Sequence, residues 1–332
     1  MGNVTTNCNG CDSSKEEVTS ELNLIVNGIE EKDPEQRRIL IQAKSILENK
    51  LSNIGKILKS QEINQILDKI NPMVNKVSLP EDIINTRKPK TFEEPIIKFH
   101  NGEIYKGYWN INNQRDGYGI NINPDGEIYK GLWNNDQIGD YGAFFDNEGN
   151  YYKGKLINGK GNGQGEIFIF NKMKYIGNFV DDIPNGKGIM INLLDNSEYN
   201  GDVVKGKKEG KGILKFKDGT IYEGDFKDDN FNGNGILKYN NGRVYQGNFK
   251  DGKMDGNGKF TWEDGKIYIG SYVNDKKHGF GKLIWNNNKY YEGSWVNNKQ
   301  HGDGLYFLNG KTLKGQFRFG KIITKNDDQP TK

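Results

Sequence analysis

The 332-residue chain has no long hydrophobic run, only two cysteines, eight prolines and almost no net charge. Each scarcity excludes something. No stretch of about 18 apolar residues exists, so no segment reads as a membrane-spanning helix. Cys8 and Cys11 stand by themselves, which excludes a disulfide framework. The balance of 47 basic against 44 acidic residues leaves a net charge of +3, so bulk electrostatics give nucleic-acid binding no support. Hydrophobic residues make up only 33% of the chain, and mean hydropathy is −0.84. A single core of this length needs more aliphatic material, which argues against a compact enzyme. Disorder throughout is excluded by what is abundant, namely 5 Trp, 17 Tyr and 16 Phe.

What is present is unevenly spread. Residues 1–90 hold four glycines (Gly2, Gly10, Gly28 and Gly55) and no aromatic residue, whereas the remainder holds the other 40 of the 44 glycines and every aromatic. The first region reads as helical. Ser13 and Ser14 stand before Glu16 and Glu17 at capping-box spacing, and Asp33-Pro34 is a second helix start. Val18, Leu22, Ile25, Ile39, Leu47, Leu51 and Leu58 recur at helical intervals until Pro72. Pro80, Pro89 and Pro95 then mark a linker. The expected organisation is a flexible segment at 1–13, a helical segment at 14–72, a linker at 73–97, a repeat array at 98–325 and a tail at 326–332.

The array repeats a Tyr-x-Gly triplet at Tyr105/Gly107, Tyr129/Gly131, Tyr152/Gly154, Tyr175/Gly177, Tyr199/Gly201, Tyr222/Gly224, Tyr245/Gly247, Tyr268/Gly270 and Tyr291/Gly293. Successive tyrosines are 23 or 24 residues apart, and a degenerate tenth copy carries Leu313 and Gly315. A Gly-x-Gly pair follows in most copies, as at Gly233/Gly235 and Gly279/Gly281; in the second copy Asp140 replaces its first member. A large side chain stands four residues after the Tyr in most copies, among them Trp109, Trp133, Phe226, Phe249 and Trp295. By the two-residue period of a strand, Tyr, Gly and that residue share one face. Each copy therefore reads as a β-hairpin, and dipeptides such as Asp218-Gly219 and Asn241-Gly242 turn the chain into the next copy. The glycines have a steric reason, since an aromatic ring can lie flat over a backbone that lacks Cβ.

This pattern, clearest in residues 268–281 (YIGSYVNDKKHGFG), resembles the MORN (membrane occupation and recognition nexus) repeat. The resemblance covers residues 99–320, about two-thirds of the chain. It implies a mostly β fold: an elongated single-layer antiparallel sheet of about ten stacked hairpins, preceded by the helical segment. At about 4.8 Å per strand, ten copies would extend roughly 95 Å. A one-layer sheet is expected to leave aromatic surface such as Trp262, Trp285 and Trp295 without a second layer. That surface would be covered by the Leu/Ile stripe of residues 14–71, or the stripe would pair with its copy in a homodimer.

The start Met1-Gly2-Asn3-Val4-Thr5-Thr6 fits the N-myristoylation pattern, with Gly2 as acceptor. Myristate alone holds a membrane marginally, so a second signal is needed. Lys15 is the only base among residues 2–31, which excludes a polybasic one. Palmitate on Cys8 or Cys11 remains. The Cys8-x-x-Cys11 pair lacks the further ligands of a zinc site, because His100, His278 and His301 are all distant in sequence. Residues 206–211 miss the phosphate-loop pattern, and residues 228–239 miss a calcium loop at the twelfth position. No catalytic set, metal site or cofactor is expected. The repeat lysines read as solvated surface, with acidic phospholipid as the alternative. The expected function is that of a non-enzymatic scaffold on the cytoplasmic face of a membrane, at the plasma membrane or cell cortex, gathering cytoskeletal or cortical proteins. The alternative is a regulatory or lipid-binding module of a phosphoinositide kinase or another enzyme, a role the family resemblance brings with it.

Overall fold

A computed structural model describes residues 96–323 without a break and, ahead of them, 55–57, 65–66, 74, 76–85 and 92–93. Gly2, Cys8, Cys11 and most of segment 14–72 lie outside the described residues. The described chain is mostly β and every strand pairing is antiparallel. It divides into two compact units, Met1–Ile138 and Gly139–Lys332.

In the first unit, β1 (Gly55–Ile57) pairs with β3 (Ile97–Phe99), and β3 continues into β4 (Ile104–Trp109), β5 (Arg115–Ile122) and β6 (Ile128–Asn134). β2 (Phe92–Glu93) pairs with the far end of β4. Two pieces differ from the sequence reading. β1 falls inside the range read as helical. It lies along the outer edge of β3, whose backbone groups would otherwise go without strand partners. The range read as linker holds β2 and a single helical turn, α1 (Glu81–Ile84), with Pro80 at its N-cap and Glu81 and Asp82 in its first turn.

The segment before α1 is packed down. Val74, Val77 and Leu79 are buried, and Lys130 of β6 donates through Nζ to the carbonyls of Val74 at 3.3 Å and Val77 at 3.2 Å. Burial pushes the Lys130 amine below its usual range. The receiving face is apolar by sequence. Ile104 pairs with Ile122, and Ile122 with Ile128, so three isoleucines lie side by side on the face that Lys130 shares. All three are buried.

The second unit repeats one hairpin. β7 (Gln137–Phe145) pairs with β8 (Tyr151–Ile157), which is joined to β9 (Lys160–Ile169). Then follow β10 (Met173–Val180) with β11 (Ile183–Asn192), β12 (Glu198–Val204) with β13 (Lys207–Lys215), and β14 (Ile221–Lys227) with β15 (Asn230–Lys238). β16 (Val244–Lys250) with β17 (Lys253–Thr261) and β18 (Ile267–Val273) with β19 (Lys276–Asn286) continue the series. β20 (Lys289–Val296) with β21 (Lys299–Leu308) and β22 (Lys311–Arg318) with β23 (Lys321–Ile322) close it.

Two kinds of turn drive this series. Within a hairpin, a two-residue turn has both residues at positive φ, as at Asp228 (47°) and Asp229 (70°) or Asn297 (49°) and Asn298 (70°). This backbone matches the right-handed twist of the strands, and Asn and Asp tolerate it. The sequence reading expected a longer polar loop here. Between hairpins, a Gly at positive φ closes a wider turn, in which Asp218 Oδ1 accepts the Thr220 amide at 2.8 Å. The first Gly of each Gly-x-Gly pair sits at positive φ beside a shift of register, as Gly233 does near the shift between Gly224 and Phe226.

Candidate functional site

The two faces of the repeat sheet differ in chemistry. On one face, each repeat tyrosine folds over a pair of glycines. Gly247 is opposite Gly258, and a Cβ on Gly247 would come within 2.5 Å of the Asn257 carbonyl oxygen and 2.6 Å of the Tyr245 hydroxyl. The same pairing occurs at Gly224/Gly235, Gly270/Gly281 and Gly293/Gly304. Neighbouring strands align glycine with glycine as well, as at Gly235/Gly247, so a lane without side chains crosses the unit. The tyrosine rings occupy that lane. Each hydroxyl donates to the carbonyl three residues on: Tyr222 to Asp225 at 2.8 Å, Tyr245 to Asn248 at 2.9 Å and Tyr291 to Ser294 at 3.0 Å.

The ring four residues later meets its tyrosine edge-on, and so does the ring from the next copy. Tyr245 lies 5.0 Å from Phe249 and 5.3 Å from Tyr272, and Tyr268 lies 5.2 Å from Tyr272 and 5.3 Å from Trp295. These are favourable quadrupole geometries. The row is thus its own second layer. Tyr222, Tyr245, Tyr268 and Tyr291 are fully buried, and burial pushes their hydroxyl pKa values up, to about 12 for Tyr291. Trp295, expected to lack a cover, is buried, with its indole N–H donating to the Gly281 carbonyl at 2.9 Å. Trp262 and Trp285 are half-buried at the margin of the row. The repeat Tyr and Gly residues named from the sequence thus line the closed face.

Gly107, Gly131, Gly154, Gly177 and Gly293 are buried, as a ring lying over a backbone without Cβ requires. In the first unit Gly107 and Gly131 both face Gly119, and in the second Gly154 and Gly177 both face Gly165. A Cβ on Gly107 would come within 2.5 Å of the Tyr105 hydroxyl, and one on Gly177 within 2.6 Å of the Tyr175 hydroxyl. On Gly154 it would meet the Gly165 Cα at 2.5 Å and the Tyr152 hydroxyl at 2.8 Å. The physical reason is the ring itself, which closes over the backbone it needs bare. These glycines are packing positions and offer a ligand no surface.

The other face of the second unit is open. A groove of about 810 Å³ runs over the backbone of Gly201, Gly212, Gly224, Gly235 and Gly247. Asn200, Glu223 and Gln246 line it, interleaved with Ile213 and Ile236. Ion pairs flank it, Lys187 with Asp202 at 2.7 Å and Lys211 with Asp225 at 2.5 Å. Hydrogen-bonding amides and carboxylates alternating with isoleucine suit an extended chain, whose backbone needs polar partners and whose side chains need apolar ones. Tyr129 begins the copy to which Lys130 belongs, and Lys130 occupies the repeat position of Asn200, Glu223 and Gln246. In the first unit that position already holds two carbonyls of the chain's own segment.

Among the described residues no group of three or more His, Cys, Asp or Glu side chains could hold a metal ion, and no helix is long and apolar enough to cross a membrane. Sequence reasoning missed the covering segment around Val74. Its signal was the isoleucine triplet Ile104, Ile122 and Ile128, where later copies place Lys238, Thr261 or, between Ile267 and Tyr290, Ile284 in the middle.

The family model for the MORN repeat matches seven stretches: residues 105–127, 175–191, 199–221, 222–242, 245–267, 268–290 and 291–312. Over these seven stretches the chain is similar to the MORN repeat. No curated protein matches the sequence. Among solved structures, the TCP domain of Drosophila melanogaster SAS-4 (dCPAP) in complex with a proline-rich motif of Ana2 (dSTIL) is 12% identical. The match covers 73% of this chain and 97% of that one, with a TM-score of 0.26. The TCP10c domain of Drosophila melanogaster Sas-4 is 11% identical over 68% of this chain and all of that one (100%), with a TM-score of 0.25. Virginiamycin B lyase from Staphylococcus aureus is 11% identical over 69% of this chain and 95% of that one, with a TM-score of 0.12. Similarity at this level assigns neither an activity nor a partner.

Proposed function

We propose that this chain is a non-enzymatic, membrane-anchored scaffold whose repeat array gathers proteins at a membrane or cortical cytoskeleton. Myristate on Gly2 and palmitate on Cys8 or Cys11 supply the anchor, as the Met1-Gly2 start and the absence of a basic cluster suggest. The reading rests most on the groove of the open face. It is lined by paired charges, side-chain amides and isoleucine, a surface for binding rather than for chemistry. The buried side chains of Val74, Val77 and Leu79, with the Val74 and Val77 carbonyls on Lys130, are a precedent for a chain held on that face of a repeat.

Proximity labelling in cells tests both halves. Gly2→Ala releases the protein from the membrane, and Cys8→Ser with Cys11→Ser leaves only weak, exchanging attachment. Ile213→Asp with Ile236→Asp keeps the attachment and loses the labelled neighbours. A double cysteine variant as firmly bound as wild type would defeat the anchor. An unchanged neighbour list in the groove variant would defeat the scaffold surface.

A further inference from the structure

One position of the repeat, nine residues after the tyrosine (ten in the first copy), lies against the aromatic row and carries a cation in three copies: Arg115, Lys208 and Lys277. In each, the backbone amide donates to the side chain of the second turn residue in the next hairpin. Arg115 N–H meets Asp136 Oδ1 at 2.8 Å, Lys208 meets Asp229 at 2.9 Å and Lys277 meets Asn298 at 2.8 Å. In the first two copies the same carboxylate also pairs with the cation, Arg115 Nε with Asp136 at 3.2 Å and Lys208 Nζ with Asp229 at 3.1 Å. In the third copy the geometry is kept and the charge is gone, because residue 298 is Asn.

Lys277 Nζ therefore faces aromatic rings in place of a carboxylate. Its ammonium lies 5.3 Å from the Trp262 ring centroid and 5.5 Å from those of Tyr268 and Trp295. The Lys266 ammonium lies 5.5 Å from the same Trp262 ring, but Lys266 is paired with Asp264 at 3.2 Å. Asp275, two residues before Lys277, turns away to accept the Met254 amide at 2.8 Å. Among the described residues no carboxylate lies within ion-pair distance of Lys277. Burial, with the neighbouring Lys266 charge second, holds the Lys277 amine below its usual range. The side chain is half-exposed, so it can be reached from solvent.

We propose that Lys277, enclosed by Trp262, Tyr268 and Trp295 opposite Asn298, is a binding site for one carboxylate supplied from outside the repeat. One negative charge is missing, and the two paired copies define the group that fills it. Phosphate is the poorer occupant. Its second charge would face ring surfaces that are themselves negative. The carboxylate approaches the solvent side of the ammonium, while the ring faces hold the other side.

The full chain labelled with 5-fluorotryptophan tests this by fluorine NMR, with its five tryptophans assigned by single Trp→Phe variants. Sodium acetate and a hexaglutamate peptide are titrated separately against chloride at constant ionic strength. The resonances of Trp262 and Trp295 shift saturably, whereas Trp109 and Trp133, beside the paired Arg115, do not. Asn298→Asp supplies the carboxylate internally, in the geometry that Lys208 and Asp229 already use, and weakens binding of the probe at least tenfold. Lys277→Gln does the same. Saturation by acetate and peptide alike supports a site open to any carboxylate; saturation by the peptide alone supports one that takes peptide side chains. Three results overturn the proposal: no saturable shift with either probe, an equal response to phosphate, or full binding retained in Asn298→Asp.

Discussion

The hairpins of the first unit are covered on both faces, and those of the second on one. At the position before the repeat tyrosine, Ile104 and Ile128 are 7% and 1% exposed, while Ile221, Val244 and Ile267 at the same position stay half-exposed. The closed tyrosine face is common to both units. What differs is the strand-to-strand neighbour on the other face, which is Ile122 between two isoleucines in the first unit and Lys238, Thr261 or, beside Tyr290, Ile284 in the second. Three adjacent isoleucines need a cover, and the segment around Val74 supplies it. Alternation with lysine and threonine can face water, and there a groove stays open. A repeat that builds its core from one lane of rings over glycine leaves its second face free to vary.

The largest expected effect separates the units by pH. In the second unit Tyr152, Tyr175, Tyr199, Tyr222, Tyr245, Tyr268 and Tyr291 all have hydroxyl pKa values raised by burial, those of Tyr152 and Tyr291 to about 12. A raised folded pKa means that the unfolded chain releases its protons first. The stabilising contribution is therefore complete below about pH 10 and is lost as pH climbs toward the folded values. Each such tyrosine adds a slope of about 1.4 kcal/mol per pH unit. In the first unit Tyr105 and Tyr118 are raised. Alkaline titration followed at individual tryptophans should unfold the surroundings of Trp262, Trp285 and Trp295 before those of Trp109 and Trp133. Simultaneous loss would remove the ladder as the cause.

A smaller effect tests the glycine lane. Gly247→Ala forces a Cβ against rigid backbone and should cost about 3 kcal/mol in chemical denaturation. Gly265→Ala, in an inter-hairpin turn at φ +81° with open space around it, should cost about 1 kcal/mol from backbone strain alone. Equal costs would mean that the ring-over-glycine contact has no special weight.

An effect below that of Gly247→Ala should be confined to one unit. Val74→Ala removes buried methyl groups from the cover and should cost about 2 kcal/mol. Hydrogen exchange at neutral pH should rise in β4 to β6 and stay unchanged in β12 to β20. A rise in both would show that the cover stabilises more than the face it lies on.

Much of this was legible in the sequence. Tyr222, Gly224 and Phe226 share a face by strand period alone, and the 23-residue recurrence fixed which hairpins stack. The Asx-Gly dipeptides named the turns between hairpins. The turns within hairpins were harder to read. Pairs such as Asp228-Asp229 and Asn297-Asn298 contain no glycine, and only their positive φ values show them as two-residue turns. The fate of Trp295 was also hidden. Its partners Tyr268 and Gly281 lie 27 and 14 residues away, and a strand pattern does not say that a ring will lean across its neighbour.

The sequence by itself determined the repeat, because period, ring and glycine are local and each copy states them again. Only the tertiary structure decided which faces are covered. That depends on segments far apart in the chain, as Val74 and Lys130 are, and on neighbours across strands, as Ile122 and Ile128 are. It also decided that Lys277 lacks a counter-charge. The loss arises one hairpin away, at Asn298, and becomes visible only where the backbone brings the two residues to 2.8 Å.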